Sequence, residues 1–197
     1  MSDIAAYIEL GFRHITDLKG ADHILFLLAL AAIYRFRDWR ECVWVATAFT
    51  IGHSLTLGLA VTNILNIRPA LVEFLIPITI VATGLENLIA RDRAKGSGTR
   101  RYRPVLAGAF GLVHGAGFAN YLRDLFVDRV AVPLLGFNVG IEAGQVVVLL
   151  AAAGVFTVVD AALRAAPVRA PLRARVVMVS SCVAVVAAVW AAQRSPW

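Results

Sequence analysis

Six apolar stretches, each near the length of a bilayer-crossing helix, recur along this chain with polar connections between them. That recurrence constrains the fold more than any single motif. A hydrocarbon core about 30 Å thick takes roughly 20 residues of α-helix, and it holds no water to satisfy an irregular backbone. The stretches read as helices over roughly 20–35, 42–62, 70–91, 104–121, 132–160 and 173–193, the first short and the fifth long enough to tilt or project. Hydrophobic residues make up 59% of the 197, against roughly 45–50% in a soluble domain, and mean hydropathy is +0.74. A soluble fold of this size could not hide that surface. The expected fold is all-α: a polytopic transmembrane helical bundle of about six spans, one membrane domain over 1–197. Residues 1–160 hold the polar motifs, and 161–197 supply a basic loop and a peripheral last helix.

Residues 4–19 mix Ile4, Tyr7, Ile8, Leu10 and Phe12 with Glu9, Arg13, Asp17 and Lys19, which predicts an amphipathic or re-entrant lead-in too polar to span alone. With Asp3 and Glu9 among the first twelve residues, the segment does not read as a cleavable signal. Orientation follows from the cations. The connections 35–41, 91–103 and 161–175 carry three, six and four Lys or Arg, whereas the N-terminal segment, 63–69, 122–131 and the C-terminal tail carry two, one, two and one. The positive-inside bias therefore predicts a bacterial-type inner (plasma) membrane protein with both termini extracytoplasmic. It also accounts for the net charge of +6 without nucleic acid, for which no aromatic-interleaved basic face is present. Ala94–Thr99, reading AKGSGT, has the composition of a flexible linker. Cys42 and Cys182 lie far apart in different apolar segments, so both read as packing residues.

All four histidines fall inside or at the lip of predicted spans. Ionisable groups at membrane depth are costly and normally face one another or a functional cavity. His14 and the adjacent pair Asp22–His23 flank Gly20, where a turn could fold His14 back. His53 lies near the middle of the second span with Thr50, Ser54 and Thr56 around it. Glu86 and Asn87 lie toward the cytoplasmic end of the third span, as relay, gate or structural partner. His114 stands among Gly108, Gly111, Gly115 and Gly117, a composition suited to close helix contact. On the fifth span Asn138, Glu142 and Gln145 form one polar stripe at i, i+4 and i+7, beside Gly136, Gly140 and Gly144. Depth places His23, His53, His114 and Glu142 together in the outer half. Three imidazoles and a carboxylate suit nickel or zinc, and also cobalt, rather than calcium or magnesium.

Through GFRHI, GADHILFLL, TAFTIGHSLTL, GLENL, FGLVHGAGFA and GFNVGIEAGQ, about the first 150 residues resemble the HupE/UreJ family of membrane proteins. Members are associated with hydrogenase and urease gene sets and are regarded as permeases for nickel or related metals. The resemblance implies metal handling by His14, Asp22, His23, His53, His114 and Glu142. His14 stands farther from the Asp-His pair than the first histidine of the family pattern, which leaves its place in the site open.

Three functions fit these residues. The first is a permease taking nickel, or cobalt or zinc, from the outer side. The second is a zinc-dependent intramembrane hydrolase with Glu142 or Asp22 as general base. The third is a structural or assembly protein whose polar residues only lock helices. Expected partners are membrane lipids and the metal ion, and assembly into a homo-oligomer stays open.

Overall fold

The computed structural model describes residues 3–89, 97–123 and 130–197, and every regular element among them is helical. In chain order α1 is Asp3–Thr16, α2 Asp22–Ala31, α3 Trp39–Val61, α4 Pro69–Ile89, α5 Ser97–Arg123, α6 Ala131–Ala165 and α7 Pro171–Gln193. A 3-10 turn at Phe36–Asp38 leads into α3. Among the described residues four helices are long and apolar enough to cross a membrane: α3 with its leading turn, α4, α6 and α7. By contrast α2 is apolar but has only 10 residues, about 15 Å of helix, half of a bilayer core.

Glycine decides which helices touch. At Gly52 an added Cβ would lie 2.0 Å from the Gly108 carbonyl oxygen, and at Gly115 it would lie 2.1 Å from that of His53. The backbones of α3 and α5 are therefore in direct contact, running in the same sense. Gly140 on α6 does the same against the Ile8 carbonyl, with Gly136 facing Ile4 and Tyr7, and Gly144 facing Phe12 and Ile15. The regular glycine spacing on α6 thus receives α1, not a long span, as small residues at every fourth position permit close approach. The opposite face of α1 is exposed and carries the Glu9–Arg13 pair, 2.7 Å apart.

Because Ile4, Ile8 and Phe12 meet successive glycines of α6 in order, α1 and α6 are parallel. Farther along α6, Leu149, Ala153 and Phe156 lie with Ala31 and Tyr34 around one groove. Arg175 bridges Asp160 of α6 to the carbonyls of Ala32 and Tyr34. So α1 and α2 follow each other along a single 35-residue neighbour, interrupted at 17–21. Expected as lead-in and span, residues 3–31 are two short helices in tandem. The end of α2 leaves carbonyls without intrahelical partners, which a buried site must satisfy from elsewhere. Asn87 Nδ2 donates to the Ala29 carbonyl at 2.6 Å, and the Arg175 guanidinium donates to Ala32 and Tyr34 at 3.2 and 2.7 Å.

Two expectations change. The linker expected at Ala94–Thr99 lies in part outside the described residues, at 94–96, while Ser97–Thr99 open α5. That helix begins before the apolar run because Tyr102 and Arg103 reach Glu86 on α4 and hold the extra turn in place. The centre of connection 122–131, residues 124–129, also lies outside the described residues. Of the two cysteines, Cys42 is buried in the core and Cys182 sits on the exposed face of α7.

Candidate metal centre

The interruption between α1 and α2 places two imidazoles face to edge. His14 ends α1 and His23 opens α2, with ring centroids 4.6 Å apart. From α3 comes His53, 5.8 and 5.9 Å from the other two by ring centroid. One ring nitrogen from each can be chosen so that all three lie within 4.8 Å of one another. Tetrahedral coordination at about 2.0–2.1 Å separates nitrogens by roughly 3.4 Å, which small ring rotations reach from this spacing. Two local features put the rings there: a helix break at Asp17–Ala21, and the α3–α5 backbone contact at Gly115, which fixes the height of His53.

His114 joins from α5 at 5.2 Å from His23. Its Nε2 is 2.9 Å from the Thr79 hydroxyl, and that hydroxyl donates its one proton to the Ile76 carbonyl at 2.7 Å. Nε2 of His114 is therefore the donor to Thr79, and Nδ1 carries the lone pair. A fixed tautomer of this kind is how a neighbouring polar group prepares an imidazole as a ligand. In the sequence Thr79 carries a faint signal: with Thr83 and Asn87 it repeats every fourth residue along a mostly apolar helix.

The surroundings are dry and aromatic. Phe118 packs on His14 at 4.0 Å, Phe49 lies 5.1 Å from His114, and Phe137 lies near both His14 and His53. Inside that shell His14 Nε2, His23 Nε2, both nitrogens of His53 and His114 Nδ1 are buried with no hydrogen-bond partner in the protein. Each such group costs about 1–3 kcal/mol when left unmade. Together they are a large local penalty, and because each neutral ring holds a single lone pair, a cation bound by one nitrogen each of His14, His23 and His53 would offset part of it.

The carboxylates are placed elsewhere. Asp22, beside His23 in sequence, turns to Arg194 at the end of α7, at 3.0 and 3.2 Å. Glu142 accepts from Thr47 at 3.4 Å, and neither acid is among the groups within 4.8 Å. Of the other polar residues of α6, Gln145 Oε1 accepts from Thr50 at 3.1 Å, while Gln145 Nε2 and Asn138 Oδ1 are buried without a partner. Ser54 donates back to the Thr50 carbonyl at 2.6 Å, so its hydroxyl proton is used within α3. Glu86 and Asn87 belong to a second cluster, where Arg103 pairs with the Glu86 carboxylate and donates to Asn87 Oδ1 while Tyr102 donates to Glu86. In the sequence Arg103 and Arg194 carry no signal as partners, because both stand at span ends where a cation reads as orientation.

The family described as HupE / UreJ protein matches residues 1–194. No curated protein and no solved structure matches the chain.

Proposed function

The chain belongs to the HupE/UreJ family, and on that premise we propose that it is a membrane permease for a divalent transition metal, nickel first, with cobalt and zinc as the alternatives. The ion is the cargo, and His14, His23 and His53 receive it. The observation that carries this reading is the convergence of buried, unpartnered imidazole nitrogens at a helix break. Nitrogen donors select late first-row metals over magnesium or calcium. Broken helices also supply binding sites in many transporters. His114, 5.2 Å from His23 by ring centroid, lies beside these three but outside the group whose nitrogens fall within 4.8 Å.

In this reading the chain crosses the membrane six times, with α1 and α2 together making the first crossing and α3 to α7 the rest. Both termini lie outside a bacterial-type inner membrane, supported by thirteen Lys and Arg in the three connections assigned inside against six elsewhere. The histidines then occupy the outer half, because His53 is past the midpoint of the outward-running α3 and Phe137 is near the start of the inward-running α6. A hydrolase draws less support, since its general base would be Asp22 or Glu142 and both carboxylates are engaged with other side chains.

Nickel uptake into vesicles carrying the wild type should exceed that of His14→Ala, His23→Ala and His53→Ala, with bound nickel lost in parallel. Uptake unchanged in all three variants would refute the site. A stoichiometric, non-exchanging zinc with no uptake of any metal would refute the permease and restore the hydrolase.

A further inference from the structure

A large groove lies away from the histidines, where the end of α2, the start of α3, the second half of α6 and the start of α7 meet. It encloses about 1090 Å³, at the upper limit of the roughly 300–1,000 Å³ usual for ligand pockets. Its two ends differ in chemistry. Toward the middle of the bundle the walls are Val43, Val146, Leu149 and Leu150. At the other end stand Arg35, Arg164, Arg173 and Arg175, with Asp160 as the one anion. From Val146 to Arg164 is about 27 Å along α6, more than the roughly 15 Å of hydrocarbon in one leaflet, so the groove reaches from the acyl region to headgroup level.

Its side is open. Val146 and Leu150 are 42% and 63% exposed, continuous with exposed Val147, Val155 and Val158 on the same helix. The mouth therefore faces an apolar exterior along its length and a basic one at its end. Arg175 is 2% exposed, held by Asp160 and the two carbonyls at the end of α2, with its guanidinium 4.9 Å over Phe156. Its Nε has no partner. Arg164 and Arg173 are exposed, and no side chain caps the first turn of α7. Four guanidinium groups against one carboxylate, above a chain-shaped apolar trough, complement a phosphate carrying an acyl chain.

We propose that this groove binds one anionic phospholipid of the leaflet at the basic end, an acyl chain lying along α6 and the phosphate among Arg35, Arg164 and Arg173. The inference rests on the membrane orientation given above and not on the metal. Anionic lipid is concentrated where juxtamembrane basic residues gather, and each cation near the headgroups contributes to its attraction.

Native mass spectrometry of the detergent-purified protein would test it, with mixed micelles of phosphatidylglycerol or phosphatidylcholine bearing identical acyl chains. One phosphatidylglycerol per chain should survive where phosphatidylcholine is stripped. The double variant Arg164→Gln/Arg173→Gln should lower its retention about thirtyfold, near fivefold for each cation. Ala153→Phe, which fills the trough, should remove it without touching a charge. Equal retention of the two lipids, or unchanged retention in either variant, would overturn the proposal. The double variant alters only exposed side chains, so it decides the question even where Ala153→Phe fails to fold. Nickel uptake by the double variant should match the wild type, which separates failure here from failure of the permease.

Discussion

Two buried polar clusters in this bundle are built on opposite principles. Around Arg103 the groups are matched: Glu86 takes the charge, Asn87 Oδ1 accepts from the guanidinium, and Asn87 Nδ2 donates to the Ala29 carbonyl and to Ser180. None of the buried polar atoms of these residues lacks a partner, whereas five ring nitrogens around His53 do. A satisfied network rigidifies a fold, and an unsatisfied one marks a place where something else must bind. By that criterion the Arg103 cluster is a structural clamp joining α4, α5, α7 and the end of α2, and the histidine cluster has the character expected of the proposed site.

Breaking the clamp should have the largest effect on stability. Glu86→Ala would leave Arg103, buried between α4 and α5, without its counter-ion, at a cost of about 3–5 kcal/mol. Thermal unfolding in detergent would show a marked fall, with nickel binding retained below the transition. An unfolding temperature equal to that of the wild type would remove the structural reading of Glu86 and return it to a relay. The matching change at the site should act in reverse. His53→Leu removes two unpartnered nitrogens from an aromatic shell, so the metal-free variant should be as stable as the wild type or more so, by up to ~2 kcal/mol. What it should lose is the response to metal. Nickel at a hundredfold excess over Kd would stabilise the wild type by about 2.7 kcal/mol and the variant not at all. A large loss of stability in the metal-free variant would make the imidazole a clamp as well.

The same contrast explains what could be read from sequence. The histidines were visible because ionisable residues inside apolar stretches stand out, and their common depth followed from counting along helices. The glycines of α5 and α6 were visible as contact surfaces, but not their partners, since close approach is a property of two backbones and only one is encoded locally. That α6 receives α1 was hidden by the polarity of α1, whose Glu9 and Arg13 lie on the face turned away from α6. Asp22 was paired with His23 by adjacency, yet its carboxylate goes to Arg194, 172 positions away, a contact only the fold can make. The tandem arrangement of α1 and α2 was likewise out of reach, because nothing in GADHILFLL states which way a ten-residue helix leaves a turn.

Between these extremes lies the contact that sets the height of His53. A methyl group on Gly115 would meet the His53 carbonyl oxygen at 2.1 Å, whereas at Gly154 nothing lies within 4 Å of the added carbon. Gly115→Ala should therefore cost about 1–3 kcal/mol through forced separation of α3 and α5, and nickel affinity should fall with it as His53 is carried away from His14 and His23. Gly154→Ala, in a helix interior with open space, should gain about 0.5–1 kcal/mol. Paired melting curves and nickel titrations would check both. Equal effects at the two glycines would dissolve the argument that the α3–α5 contact positions the site.

The smallest expected effect is also the one that best separates site from surroundings. Asp22→Asn breaks an ion pair whose side chains are 15% and 32% exposed, so its stability cost should be below ~1 kcal/mol. If the carboxylate stays with Arg194 when metal binds, nickel affinity should change by less than the roughly tenfold minimum typical of a lost ligand-supporting contact. If instead binding draws Asp22 away from Arg194 and onto the ion or the His23 ring, affinity should drop well beyond that, and Arg194→Gln should raise it by releasing the carboxylate. The second result would mean that α7, through Arg194, holds the acid in reserve, and that the histidine cluster and the C-terminal end of the chain are coupled in the transport step.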